Sequence, residues 1–172
     1  MTWLLAAAGL LVFVVGLAYL VGANLPRHHV AVRRARFASP PAAVWDVMAD
    51  PLQSASWRSD LRDVERLPDH DGHLVWKEVG RRGDALTLEM LEDDPGRRRV
   101  VRIADPSLPF GGTWTYELAE AGGGAALTLT EDGEVRNPLF RFLARFVFGH
   151  GGTLESYLAA LGRRLGEDVT VS

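Results

Sequence analysis

Gly112-Thr113-Trp114-Thr115-Tyr116-Glu117-Leu118 alternates at every step, with Trp114, Tyr116 and Leu118 on one side and Thr113, Thr115 and Glu117 on the other. A period of two marks a strand with one face toward a core and one toward water. Similar runs lie on both sides of it. Residues 61–67, 73–79, 84–92 and 98–104 precede it, and residues 125–135 follow. The separators are turn formers: Pro68-Asp69-His70-Asp71-Gly72, Gly80-Arg81-Arg82-Gly83, Asp94-Pro95-Gly96 and Gly122-Gly123-Gly124. Short apolar runs between such turns predict an antiparallel meander.

Alternation also assigns the inner face. Leu86, Leu88 and Met90 point in with Trp114 and Tyr116, as do Leu127 and Leu129. In residues 73–79 the set Leu74, Trp76, Glu78 competes with Val75, Lys77, Val79; the first is preferred because an inward lysine is costly to desolvate. Glu78 and Glu131 then point inward as well. An inward carboxylate can hold a ligand hydroxyl or move a proton. It can equally be one half of an ion pair, with Arg99 or Arg102 as the arginine.

The flanks of the meander change period. Residues 29–37 form a strand candidate that stops at Ser39-Pro40-Pro41, where Ser39 is the expected N-cap of a short helix over 42–49. Asp50-Pro51 ends that helix, and 52–57 makes a further helical turn. After the last strand, Asn137-Pro138 opens another helix. On a helical wheel of 139–148, Arg141 and Arg145 lie on one side and an apolar arc containing Phe142 and Phe146 on the other. Such a helix can lie on a bilayer with its arginines near anionic headgroups, or pack on the sheet. Gly149-His150-Gly151-Gly152 interrupts it as a possible hinge, and Leu154, Tyr157, Leu158, Leu161 and Leu165 then recur at helical spacing.

The N-terminus is of another kind. Residues 3–23 carry no charge. As a helix they span the roughly 30 Å hydrocarbon core of a bilayer. A cleaved signal would have a basic leading region and a shorter apolar core. Val21-Gly22-Ala23 has the small residues of a cleavage site, but the rest reads as an anchor. Arg27, Arg33, Arg34 and Arg36 follow it, which places the remaining chain on the cytoplasmic side of a single-pass protein. The expected organisation is an anchor and tether at 1–26, a folded domain at 27–168 and a tail at 169–172.

Composition narrows the chemistry. The net charge of −3 does not suit a nucleic-acid binder. With no cysteine, thiolate catalysis, disulfides and cysteine metal sites are excluded. Asp69-His70-Asp71-Gly72-His73 has metal-ligand residue types but the make-up of a polar hairpin, so no metal is assigned. No phosphate loop, dinucleotide fingerprint or nucleophile elbow is present, and no cofactor is assigned.

The order of elements resembles the helix-grip fold of the START-like, or SRPBCC, superfamily, which includes polyketide cyclase and lipid-transport relatives. Three stretches carry the resemblance. One is Phe37-Ala38-Ser39-Pro40-Pro41-Ala42-Ala43-Val44-Trp45-Asp46-Val47. Another is Asp50-Pro51 leading to Ser56-Trp57. The third is the 112–118 strand with Leu127 to Leu129 and the terminal helix. The resemblance covers about residues 30–166. It implies an α+β domain in which a curved seven-stranded antiparallel sheet grips a long C-terminal helix, with an apolar cavity between them. The superfamily shares a cavity and no catalytic motif, so it transfers no catalytic residue. The implied partner is a hydrophobic small molecule or lipid, and no nucleic acid. Trp76, Leu88, Met90, Trp114, Tyr116, Leu129, Phe142 and Phe146 are the candidate lining, if they do not simply fill the core. A non-enzymatic binding protein is the leading expectation. A cyclase-like enzyme using Glu78, Glu131, Tyr116 or His150 is the alternative.

Overall fold

The computed structural model describes residues 2–148 and 152–172. Helix α1 covers Thr2–Asn24, followed by strand β1 (His28–Phe37), helix α2 (Pro41–Met48) and a 3-10 turn at Pro51–Ser56. Six strands come next: β2 (Leu61–His70), β3 (His73–Gly80), β4 (Ala85–Asp94), β5 (Arg98–Ile103), β6 (Phe110–Ala121) and β7 (Gly124–Val135). Helix α3 (Pro138–Leu143) runs into a π turn at Ala144–Phe148, and helix α4 (Gly152–Leu165) closes the fold. The expected interruption at Gly149, His150 and Gly151 lies outside the described residues.

The seven strands form one sheet in the order β1-β7-β6-β5-β4-β3-β2, antiparallel throughout. The β2–β7 run is a meander because each turn carries residues that tolerate it. Asp71 and Gly72, for example, both take positive φ between β2 and β3. The sheet curves around α4, whose Leu154, Leu158 and Leu161 are at most 2% exposed. Val44, Trp45 and Met48 of α2 join them against Leu88, Leu127 and Leu129 of the sheet. This is the expected helix-grip arrangement.

Long-range contacts alter several local expectations. Ser39 does not cap α2; Pro40 holds the cap position without a side-chain bond. The Ser39 backbone N–H and hydroxyl both donate instead to the Glu167 carboxylate. The last residues pair along the free edge of β1, where the Arg34 N–H donates to the Ser172 carbonyl at 2.9 Å and the reverse bond is 3.0 Å. A bulge between Met90 and Glu92 shifts the phase of β4, so that Asp93 lies opposite Arg99 and bonds it at 3.0 Å. Arg99 then reaches the Met48 and Ala49 carbonyls at the end of α2 and stacks over Trp45. A basic side chain on those terminal carbonyls is a favourable helix cap. Asn137 does cap α3, accepting from the Leu139 and Phe140 N–H groups.

Candidate functional site

Between the concave face of the sheet and α4 lies a cavity of about 980 Å³. That is the upper end of the range for small-molecule sites. Its apolar walls come from the alternation of the strands. Trp76, Leu88, Val101, Trp114 and Leu129 project from five neighbouring strands, and Leu154 from α4 faces them. Glu78, Tyr116 and Glu131 also border it, each at a position that alternation assigned inward. Met90 is buried among the same core residues but does not border the cavity.

Polar and charged side chains also line it, among them Arg81, Asp84, Arg99 and Glu134, and two groups are tied together by side-chain hydrogen bonds. The first is built on Glu78. Arg58, in the loop between the 3-10 turn and β2, places Nη1 at 2.9 and 2.8 Å from the two Glu78 oxygens and Nη2 at 2.7 Å from Asp60. The arginine anticipated for this carboxylate was Arg99 or Arg102. Arg99 caps α2 instead, and Arg102 lies on the convex face against Glu89. Burial opposes the charge on Arg58, but Glu78 and Asp60 outweigh it and hold the guanidinium above its ordinary pKa. Partial burial would raise the Asp60 carboxyl, but the hydrogen bond and charge of Arg58 overcome it and lower it. Tyr157 of α4 packs edge-on to Tyr116 at 5.4 Å and to Trp57 at 5.3 Å between ring centroids. Burial pushes the Tyr157 phenol up to about 12 and the Tyr116 phenol well above its usual value. Both therefore remain neutral donors beside the ion pair.

The second group surrounds Glu131. His29 Nε2 lies 3.0 Å from Glu131 Oε1, and the Trp114 indole N–H donates to Oε2 at 3.2 Å. His29 sits opposite Gly133 in the β1–β7 register, and a Cβ on Gly133 would collide with the imidazole. The glycine is the seat for that ring. Phe140 and Ala144 border the same cavity.

Phe142 and Phe146 do not border the cavity, whereas Phe140 and Ala144 of the same segment do. A wheel orders side chains around a helix but does not say which side meets which partner. Arg141, expected near headgroups, is only 7% exposed and donates to the Leu25 carbonyl at 2.9 Å. His150 lies outside the described residues. Sequence reasoning passed over Arg58, Asp60, Tyr157 and His29 as site residues. The inward Glu78 signalled that a cation was needed, but nothing local pointed to one twenty residues upstream. His29 had a usable signal, since it shares the inward phase of β1 with Ala31 and Ala35.

Known proteins place this architecture. A START superfamily protein from Mycobacterium smegmatis superposes with a TM-score of 0.63 at 15% identity, covering 80% of this chain and 97% of its own. Zhui aromatase/cyclase from Streptomyces sp. R1128 gives 0.58 at 20% identity, covering 80% and 96%. Norcoclaurine synthase from Thalictrum flavum gives 0.64 at 12% identity, covering 86% and 91%. At these identities the likeness is one of fold. A search of curated protein sequences returns no match. The model of the polyketide cyclase/dehydrase and lipid transport family matches residues 28–166, and with it the inner face, the cavity and the gripped helix described above: the chain belongs to that family.

Proposed function

We propose that residues 27–168 bind an amphipathic small molecule or lipid and that residues 1–26 hold this domain at a membrane. The cavity carries the reading: it is large, and apolar side chains from five strands and α4 form a wall beside charged groups that include the Arg58–Glu78 pair and Glu131. An apolar body fits against Trp76, Leu88, Val101 and Leu129. A polar end is met by the Tyr116 and Tyr157 phenols beside the Arg58–Glu78 pair, or by His29 and Glu131. Glu78 and Glu131 are each engaged through both carboxylate oxygens. That suits recognition, because a carboxylate bonded through both oxygens is held in place.

Helix α1 supports the second half of the proposal. It is long and apolar enough to cross a membrane, and its Leu, Val and Phe side chains stand exposed along its length. The arginines that follow it, beginning with Arg27, favour a cytoplasmic domain. Native mass spectrometry of the full chain released from detergent micelles tests the binding. A co-purified hydrophobic molecule is expected, and it should be lost from Ile103→Trp, which fills the cavity from a half-buried wall position. An empty cavity in the unaltered chain after extraction from its own membrane would count against the reading. Retention of the chain in the membrane fraction after carbonate washing tests the anchor; a mature chain beginning near Asn24 would refute it.

A second reading rests on one observation. His29 and Glu131 form an imidazole–carboxylate pair on the cavity wall. Such a pair can take and return a proton. Turnover of a polyketide-like substrate by the full chain, abolished by His29→Gln with binding retained, would favour the enzyme.

A further inference from the structure

The residues of α1 that are buried are Ala18 and Gly22, four apart and therefore on one face of the helix. Small residues at that spacing let a second helix approach closely. The element that approaches is α3. A Cβ on Gly22 would collide with the Pro138 carbonyl and lie 3.4 Å from Phe142 Cβ, so only glycine fits that notch. Arg141 adds a polar clasp by donating to the Leu25 carbonyl just beyond the end of α1. An unsatisfied carbonyl at a helix end gains a charged donor in this way. Segment 138–148 is thereby bound to the anchor on one side and borders the cavity, through Phe140 and Ala144, on the other.

Its outer surface has no protein partner among the described residues. Phe146 is 60% exposed and Val147 61%. Arg145 stands exposed beside them, and Arg27 follows the end of α1. The segment that carries them packs on Gly22 near the end of α1, whose own apolar side chains are exposed, so the two apolar surfaces adjoin. That continuity selects the occupant: it is the bilayer that surrounds α1, not a protein docking from solution.

We propose that segment 138–148 lies in the membrane interface as a wall of the cavity, with Phe146 and Val147 among the acyl chains and Arg145 among anionic headgroups. The part of the cavity bordered by Phe140 and Ala144 then faces the leaflet, and a lipid-like ligand exchanges with the membrane without crossing water. This rests on α1 being a membrane span.

The chain has no cysteine, so single cysteines can be spin-labelled without background. The full chain is reconstituted into mixed phosphatidylcholine–phosphatidylglycerol liposomes. Collision with oxygen, which partitions into lipid, is compared with collision with a water-soluble nickel chelate. Labels at Phe146→Cys and Val147→Cys should show an oxygen-to-nickel ratio several-fold above that of Glu120→Cys at the far end of the sheet. They should approach the ratio at Val12→Cys within α1. Adding Gly22→Leu, which displaces α3 from its notch, should lower the ratio at positions 146 and 147 and leave position 12 unchanged. Water-exposed labels at 146 and 147 with a lipid-buried label at 12 would overturn the proposal and leave the anchor standing. A water-exposed label at 12 would overturn both. Lipid-buried labels at 146 and 147 that ignore Gly22→Leu would refute the role of the anchor in setting the wall.

Discussion

Arg58→Ala is the perturbation with the most specific consequence. The Arg58 and Glu78 side chains are 11% and 10% exposed, and both Glu78 oxygens bond to Arg58 at 2.9 and 2.8 Å. Removing the arginine strands a carboxylate in the cavity wall. Breaking a buried pair by removing one partner costs about 3–5 kcal/mol. Glu78→Gln should cost less, about 1–2 kcal/mol, because Arg58 keeps Asp60 and the amide keeps the shape. Replacing both residues, as Arg58→Met with Glu78→Met, should recover most of the loss, since no charge is left unpaired. For a chain of this size each kcal/mol moves Tm by about 2–4 °C. Arg58→Ala should therefore lower Tm by roughly 6–20 °C in detergent micelles, read by near-ultraviolet circular dichroism. The double variant should melt near the parent while failing to retain the co-purified ligand. Equal, small losses in all three variants would show that the pair is solvated and not a buried part of the cavity wall. A double variant as unstable as Arg58→Ala would show that Arg58 acts through packing on Tyr157 rather than through charge.

Three further outcomes follow from burial and charge. Trp76→Ala, at a position 2% exposed, should cost about 3–5 kcal/mol, whereas Trp114→Ala, half-buried at the cavity wall, should cost less and weaken ligand retention more; the reverse order in thermal melts would contradict the assigned roles. Burial raises both the Tyr116 and Tyr157 phenols, so above pH 10.0 the unfolded chain ionises first and binds fewer protons. Stability should then fall as pH rises from that value, and Tyr116→Phe should flatten the alkaline limb of the Tm–pH curve; an unchanged limb would count against the buried phenol. On the convex face burial pushes the Glu89 carboxyl up, but hydrogen bonds and charge from Arg102 and His70 outweigh this and hold it below 4.5. Its contribution is present above that value and lost as pH falls through the depressed one, so Glu89→Gln should melt lower than the parent at neutral pH and the difference should shrink as pH falls below 4.5. A pH-independent difference would assign the loss to packing.

Much of this molecule is legible in the chain itself, and the reason is periodicity. Trp76, Leu88, Trp114, Tyr116 and Leu129 border the cavity because a strand sends alternate side chains to one face, which any contiguous stretch displays. The same rule places Glu78 and Glu131 inward. Asn137-Pro138 marks a helix start because capping is completed within a few residues. The apolar run of α1 is visible because length and lack of charge, which make it long and apolar enough to cross a membrane, are properties of one contiguous stretch.

What depends on distant residues was decided by the tertiary structure. Glu78 takes Arg58 and not Arg99 or Arg102, because the loop after the 3-10 turn enters the cavity while Arg99 is drawn to the end of α2 and Arg102 points to the convex face. Ser39 serves Glu167 and not α2, because the chain returns to it 128 residues later. Arg141 looks like a surface charge on a wheel, yet it is buried because α1 and α3, more than a hundred residues apart, meet where Ala18 and Gly22 leave room. Alternation and capping act within a few residues and so can be read locally. A charge or a hydroxyl takes whichever partner the closed fold brings within about 3 Å, and only the assembled chain determines which one that is.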